Sequence, residues 1–207
     1  GTLQRFQVTL NHIENFLSWK YKVSDIRIDK IDHAMIMELE FYLRSVKNCA
    51  NNTAVKYIRN FRKIINICLN NDWLDKDPFS KYDGKVYEID KEFLTEEEIQ
   101  KIYAKRFVNS RLEQVRDIFI FCCFTGLAYI DVQQLKKDHL GIGIDGQKWI
   151  FKNRQKTDVR SKIPLLPIAE ELVQKYAEHP KCINEDRILP VLSNQKMNSY
   201  LKEIGDV

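Results

Sequence analysis

Apolar residues at Leu3, Phe6, Leu10, Ile13, Phe16 and Leu17 recur at helical spacing, so Leu3 to Tyr21 is expected to form an amphipathic helix. After an irregular piece, Val23 to Asp32, a second helix is expected over His33 to Val46, with Met35, Ile36, Leu39, Tyr42 and Leu43 toward a core. Asn51 and Asn52 read as caps of a third helix, Thr53 to Asn71, because asparagine accepts bonds from the free amides of a first turn. Ala54, Ile58, Phe61, Ile65 and Cys68 form its apolar stripe, widened by Val55, Ile64 and Leu69. The segment Asp72 to Phe79 ends the bundle: Pro78 blocks continuation, and Trp73 with Phe79 is expected to close its end.

Ser80 to Asp90 has mixed polarity and no period, with Asp83-Gly84 as a turn, and reads as a linker. Thr95 with Glu98 three residues on is a capping box that opens the next helix. Arg111 to Phe124 is a largely apolar helix that runs into Thr125-Gly126, where glycine suits a left-handed C-cap. Helical spacing resumes from Ile130 to Leu135. The period then shortens. Gly141 to Asp145, Gln147 to Asn153 and Ser161 to Leu165 read as a three-stranded antiparallel meander, with Asp145-Gly146 as a hairpin turn. Pro164 and Pro167 end it; Ile168 to Tyr176 is another helix, Lys181 to Leu192 is irregular, and Asn194 to Ile204 is helical. The fold class is therefore mainly α with a small antiparallel three-stranded sheet. Domains are expected at 1–80 and 95–207, with 81–94 between them.

Composition narrows the chemistry. With 207 residues, 44% hydrophobic and 30% charged, the chain has material for real cores, and no apolar run approaches the roughly 20 residues that span a bilayer. Five cysteines, odd in number and without CxxC spacing, read as reduced, mostly buried thiols of a cytoplasmic protein. Four scattered histidines offer no ligand pair, so no metal is expected. The net charge of +4 says little, but its distribution says more. Phe41 to Asn71 holds no acid, yet contains Arg44, Lys47, Lys56, Arg59, Arg62 and Lys63. Gly146 to Ala169 carries Lys148, Lys152, Arg154, Lys156, Arg160 and Lys162 against a single acid, Asp158. Two basic segments in a near-neutral chain point to two surfaces meeting one polyanion. In the third helix Lys56, Arg59, Asn60 and Lys63 line the face opposite the apolar stripe, with Tyr57 on its flank. Like charges one turn apart repel by a few tenths of a kcal/mol, and nucleic-acid phosphates reverse that sign.

The order of these parts, and Phe124-Thr125-Gly126-Leu127 with Asp131, Gln155-Lys156-Thr157 and Ile163-Pro164-Leu165, resembles the tyrosine recombinase (integrase) family, especially integrases of Bacteroides-type mobile elements. The resemblance implies a SAM-like helical core-binding domain followed by the first part of an α+β catalytic domain. It implies double-stranded DNA of a core-type recombination site as partner, tetramer assembly on DNA, and no cofactor. The implied chemistry is attack by a tyrosine on a phosphodiester, giving a 3′-phosphotyrosyl link. Cationic side chains offset the charge of the transition state, arginine with two donors at once. A lysine on the turn between the second and third strands protonates the leaving 5′-oxygen. Lys156 matches that lysine by position, with Lys152 and Arg154 as neighbouring alternatives. Asp131 matches the motif's acid, which anchors its neighbours. The candidate DNA-facing residues are Asn52, Thr53, Lys56, Tyr57, Arg59, Asn60 and Lys63 in the first half and Lys152, Arg154, Thr157 and Arg160 in the second.

Two departures stand out. Where the family has its first catalytic arginine, this sequence has Ala128, and Arg116, Arg154 and Arg160 are the candidates to supply the missing charge. The family's H-x-x-R motif and a later nucleophilic tyrosine have no match; Tyr200 lies ahead of where they belong and is not read as the nucleophile. The expectation is a middle piece of a longer recombinase, inactive alone. The alternative is a non-catalytic DNA-binding protein derived from an integrase; a helical protein-interaction module fits the bundle but not the basic stripe.

Overall fold

Residues 2–156 and 159–206 are described in the computed structural model, and the chain divides into two units, residues 1–91 and 92–207. The first unit is a three-helix bundle: α1 (Thr2–Tyr21), α2 (His33–Ser45) and α3 (Asn51–Asn70), with one 3-10 turn at Ile28–Lys30. Asp32 caps α2, its carboxylate accepting from the Met35 amide at 2.8 Å. The apolar stripes meet in one core of Phe16, Leu17, Ile36, Leu39, Leu43, Ala54, Ile58 and Ile65. Fully burying each large side chain contributes about 1.5–3 kcal/mol.

Some details differ from the pattern. Leu3 and Leu10 complete the period of α1 but stay exposed. Phe79 is fully buried, edge-on to Phe61, and closes the bundle as expected; Trp73 is 64% exposed and takes no part. Asn51 and Asn52 are not caps. They lie inside α3, whose N-cap is Ala50. Their side chains instead bind the chain that leaves the bundle. Asn51 Nδ2 donates to the Lys85 carbonyl at 2.9 Å, and Asn52 both donates to the Tyr87 carbonyl (2.7 Å) and accepts from its amide (2.9 Å). The extended residues 85–87 are thus strapped to the start of α3.

The second unit opens with α4 (Glu96–Ala104), where the Thr95–Glu98 capping box forms as read, and α5 (Ser110–Thr125). Buried Leu112, Val115, Ile118, Ile120 and Phe121 make α5 the centre of this core. Gly126 ends it at φ 62°, its amide bonding the Cys122 carbonyl at 2.9 Å. A five-residue helix α6 (Tyr129–Gln133) follows, then the strands β1 (Leu140–Ile142), β2 (Lys148–Asn153) and β3 (Arg160–Pro164), antiparallel in the order β1-β2-β3. The first hairpin is wider than a two-residue turn. Ile142 pairs with Lys148, and the Gly146 amide reaches back to the Gly143 carbonyl, so β1 is shorter than the apolar pattern implied. Helices α7 (Pro167–Lys175), α8 (Pro180–Asn184) and α9 (Asn194–Gly205) complete the unit. The helix α8 falls in the stretch expected to be irregular, started by Pro180 at its first position.

One buried charge cluster holds α5 to α7. Asp117, fully buried, accepts from Arg116 Nε (2.8 Å), Lys175 Nζ (2.8 Å) and the Tyr176 hydroxyl (2.8 Å). Three charged or polar donors on one carboxylate offset the cost of removing it from water. All five cysteines are free thiols, of which Cys68 and Cys182 are buried, Cys49 and Cys122 half-buried and Cys123 exposed, fewer inside than the apolar context predicted.

Candidate nucleic-acid interface

Two basic surfaces are present, one in each unit. On the first, Lys56, Arg59 and Lys63 project from the face of α3 that the core leaves open, and Thr53 is exposed one turn ahead of them. Among the described residues none of the three cations has a carboxylate partner within 4.0 Å; Arg59 Nη2 donates to the Gly84 carbonyl at 3.2 Å. Neighbours expected on the same face are occupied within the unit. Asn60 turns inward and donates to the Thr9 hydroxyl at 3.2 Å. Tyr57 is half-buried with its ring 4.5 Å from that of His12, whose pKa burial lowers, with Lys47 adding to the effect. Asn52 holds the strap. The bare cationic stripe is therefore narrower than the helical period alone implied.

The second surface is built around the corner between α5 and α6. Thr125 is buried; its hydroxyl donates to the Phe121 carbonyl at 2.7 Å and accepts from the Leu127 amide at 3.4 Å, which fixes the chain as it leaves the helix. Leu127 points into the core and Ala128 is exposed. Asp131, 3% exposed, accepts from the backbone amide of Gln155 at 2.9 Å. That bond ties the β2–β3 turn to the corner and sets Lys156, exposed, one residue from the tie. Thr157 lies outside the described residues.

Side-chain alternation along β2 decides what else reaches the corner. Ile150 is fully buried in the core, so Lys152, two residues on, lies on its face of the sheet, and Arg154, one residue past the end of β2, continues the same parity. Lys152 is half-buried and its charge, after burial, helps hold the pKa of His139 down. Arg154 sits where β2 enters the turn, its amide bonded to the Val159 carbonyl at 2.9 Å. Its guanidinium donates through Nε to Ser161 Oγ at 3.1 Å and through Nη2 to the Gly126 carbonyl at 3.3 Å. Arg160 pairs with Asn153 and so takes the opposite face of the sheet. Arg116 is buried, spent on Asp117 and on the Tyr103 and Lys105 carbonyls. Tyr200 is half-buried under the Arg111 guanidinium at 4.8 Å and packs against the core. The Asp131–Gln155 and Arg154–Gly126 contacts were missed in the sequence, although the parity of Arg154 with Ile150 was a signal for the second.

A helical bundle with a basic stripe, followed by a corner clamped to a basic hairpin, has a counterpart among known domains. Residues 1–86 match the family model of the phage integrase SAM-like domain. Over those residues the first unit is similar to a SAM-like domain of the phage integrase type. The fold of the remainder agrees. The chain superposes on 99% of its length with a lambda integrase (75–356) dimer bound to a COC′ core site, at TM-score 0.76 and 16% identity, covering 70% of that chain. In the structure of a lambda integrase dimer with a longer chain the covered share is 57%. XerH site-specific recombinase bound to a palindromic difH substrate matches 99% of the chain and 63% of its own, at TM-score 0.65 and 15% identity. The Tn1549 transposon integrase in complex with a circular intermediate DNA matches 86% of the chain and 65% of its own, at TM-score 0.62 and 14% identity. At these identities the likeness is one of fold, shared with lambda integrase, XerH and the Tn1549 integrase. No curated protein matches the sequence.

Proposed function

We propose that this chain is the core-binding domain and first catalytic portion of a site-specific tyrosine recombinase. The SAM-like domain grips duplex DNA of a core-type site through Lys56, Arg59 and Lys63. The second unit brings Lys156 to the scissile phosphate, where it protonates the leaving 5′-oxygen as a tyrosine of the full-length protein forms the 3′-phosphotyrosyl bond. Asp131 is a positioning residue: it accepts the Gln155 amide and so sets where the Lys156 tip lies. That fastening of a basic turn to the Thr125–Gly126 corner is the observation that carries the reading, because a solvated hairpin has no need of a buried carboxylate at its root. Lambda integrase is seen as a tetramer on a Holliday junction, and we extend that assembly to the full-length form of this chain. Its five free thiols accord with work in the cytoplasm.

The test is binding and cleavage on one DNA. Residues 1–207 should bind a core-site duplex with steep salt dependence, and each of Lys56→Ala, Arg59→Ala and Lys63→Ala should reduce the log–log salt slope by about 1. Full-length protein should form a covalent adduct on the same duplex that Lys156→Ala slows by about 10²–10⁴-fold. Exposed Ala128, which cannot hold a phosphate oxygen, favours a second reading as a non-catalytic DNA binder. Salt-dependent binding without any adduct from the full-length protein selects that second reading.

A further inference from the structure

The corner between α5 and α6 lacks a cation of its own: Gly126, Leu127, Ala128 and Tyr129 carry no charge. A phosphate brought there by the function proposed above, on which this inference rests, meets no guanidinium from the corner's own residues. The described structure nevertheless places one on it. Arg154 Nη2 lies 3.3 Å from the Gly126 carbonyl, and Nε is held by Ser161 at 3.1 Å, so the planar group is fixed at two points while the residue as a whole is exposed. Its two rivals are placed elsewhere. Arg116 is buried, with its donors turned onto Asp117, Glu113 and two backbone carbonyls. Arg160 leaves the sheet on the face opposite to Ile150 and Arg154.

We propose that Arg154 is the phosphate-binding arginine of this site, donated from just past the end of β2 in place of a side chain at position 128. In the transfer, the attacking hydroxyl gives up its proton and forms the new P–O bond, the bond to the 5′-oxygen breaks, and that oxygen takes a proton. Negative charge gathers on the two non-bridging oxygens in between. A guanidinium offers those oxygens two parallel donors, which an alanine at the corner does not. The bond to the Gly126 carbonyl and the one to Ser161 orient the group before DNA arrives, which is the condition for a donor to favour the transition state over the ground state. The Asp131–Gln155 tie does not involve the arginine side chain, so Arg154→Ala removes only its bonds to Gly126 and Ser161.

The experiment measures the rate of covalent adduct formation by the full-length protein on a core-site duplex, beside binding to the same duplex and thermal unfolding. Arg154→Ala should slow adduct formation by about 10²–10³-fold, the usual effect of removing one preorganised donor, with core-site affinity changed less than tenfold. Ala128→Arg added to Arg154→Ala should recover at least tenfold of that loss, which a merely structural role for Arg154 does not predict. On a duplex with a neutral methylphosphonate at the scissile position, the gap between the parental and Arg154→Ala proteins should narrow, because one of the two charged oxygens is replaced and less charge has to be offset. Adduct formation by Arg154→Ala at the parental rate overturns the assignment and leaves the recombinase reading intact. Loss that Ala128→Arg does not repair and that persists on the methylphosphonate also overturns it, since it marks a folding effect. Absence of adduct from the parental full-length protein defeats both together.

Discussion

Asp131 shows how much one side chain can organise. It stands out in the sequence as an acid in the first turn after Gly126, but its partner, a backbone amide 24 residues on, is set by tertiary folding and has no sequence signature. The structure makes it a buried acceptor for an amide from another element. Asp131→Ala leaves the Gln155 amide without its acceptor and is expected to cost about 1–3 kcal/mol in urea unfolding. Asp131→Asn retains an acceptor oxygen and should lose less than half as much; equal losses from the two would show that the bond to Gln155 is not what matters. Arg154 illustrates the same limit from the other side. Its direction follows from alternation with Ile150, while its contact with Gly126 depends on how β2 docks, which no local pattern encodes.

At the scale of elements, the helices were legible because an apolar stripe of period 3.6 must be buried, and α1, α2, α3, α5 and α9 lie close to where that period put them. Their ends were read best where capping chemistry is specific. The Thr95–Glu98 box formed, and Gly126 adopts the left-handed conformation. At Gly126 an added Cβ meets nothing within 4 Å, so the cost of Gly126→Ala is backbone strain alone. About 1–2 kcal/mol is expected, measured as a fall in the urea midpoint of the second unit. The start of α3 departs from the pattern for a chemical reason. Asparagine satisfies a strand-like segment as readily as a helix end, and here its amide groups serve residues 85–87. Asn52→Ala removes both bonds to Tyr87, and amide exchange at Tyr87 should accelerate about tenfold or more while α3 stays protected. Unchanged exchange would mean the strap is held by other means.

For the molecule as a whole, pH offers a probe of the buried cluster between α5 and α7. Burial alone lowers the Lys175 pKa, but hydrogen bonds and attraction from Asp117 and Glu113 outweigh it and raise the value above 10.5. Burial, followed by the bond to Asp117, raises that of Tyr176 above 10.0. A raised folded pKa means that the folded state holds the proton more tightly. The stabilisation is complete below the ordinary values and drains away as pH climbs through the raised ones. Unfolding followed from pH 8 to 11 should therefore show stability falling from about pH 10 upward, and Lys175→Met should flatten that fall. This cluster escapes a sequence reading because Asp117 is one charge among many on an otherwise apolar helix. Only the packing of α7 shows that it is enclosed.

The parity that sets Arg154 on the face of Ile150 also constrains how the sequence can change length. From Ile150, which must face the core, to Arg154, which faces the corner, the spacing is an even number of residues. Inserting or deleting one residue between them moves the guanidinium to the outer face of the sheet while the core contact stays where it was. Related proteins should therefore not tolerate odd length changes in the run 150–154, where any change must come in pairs. The run 150–154 is fixed in its arithmetic by the core at one end and the corner at the other.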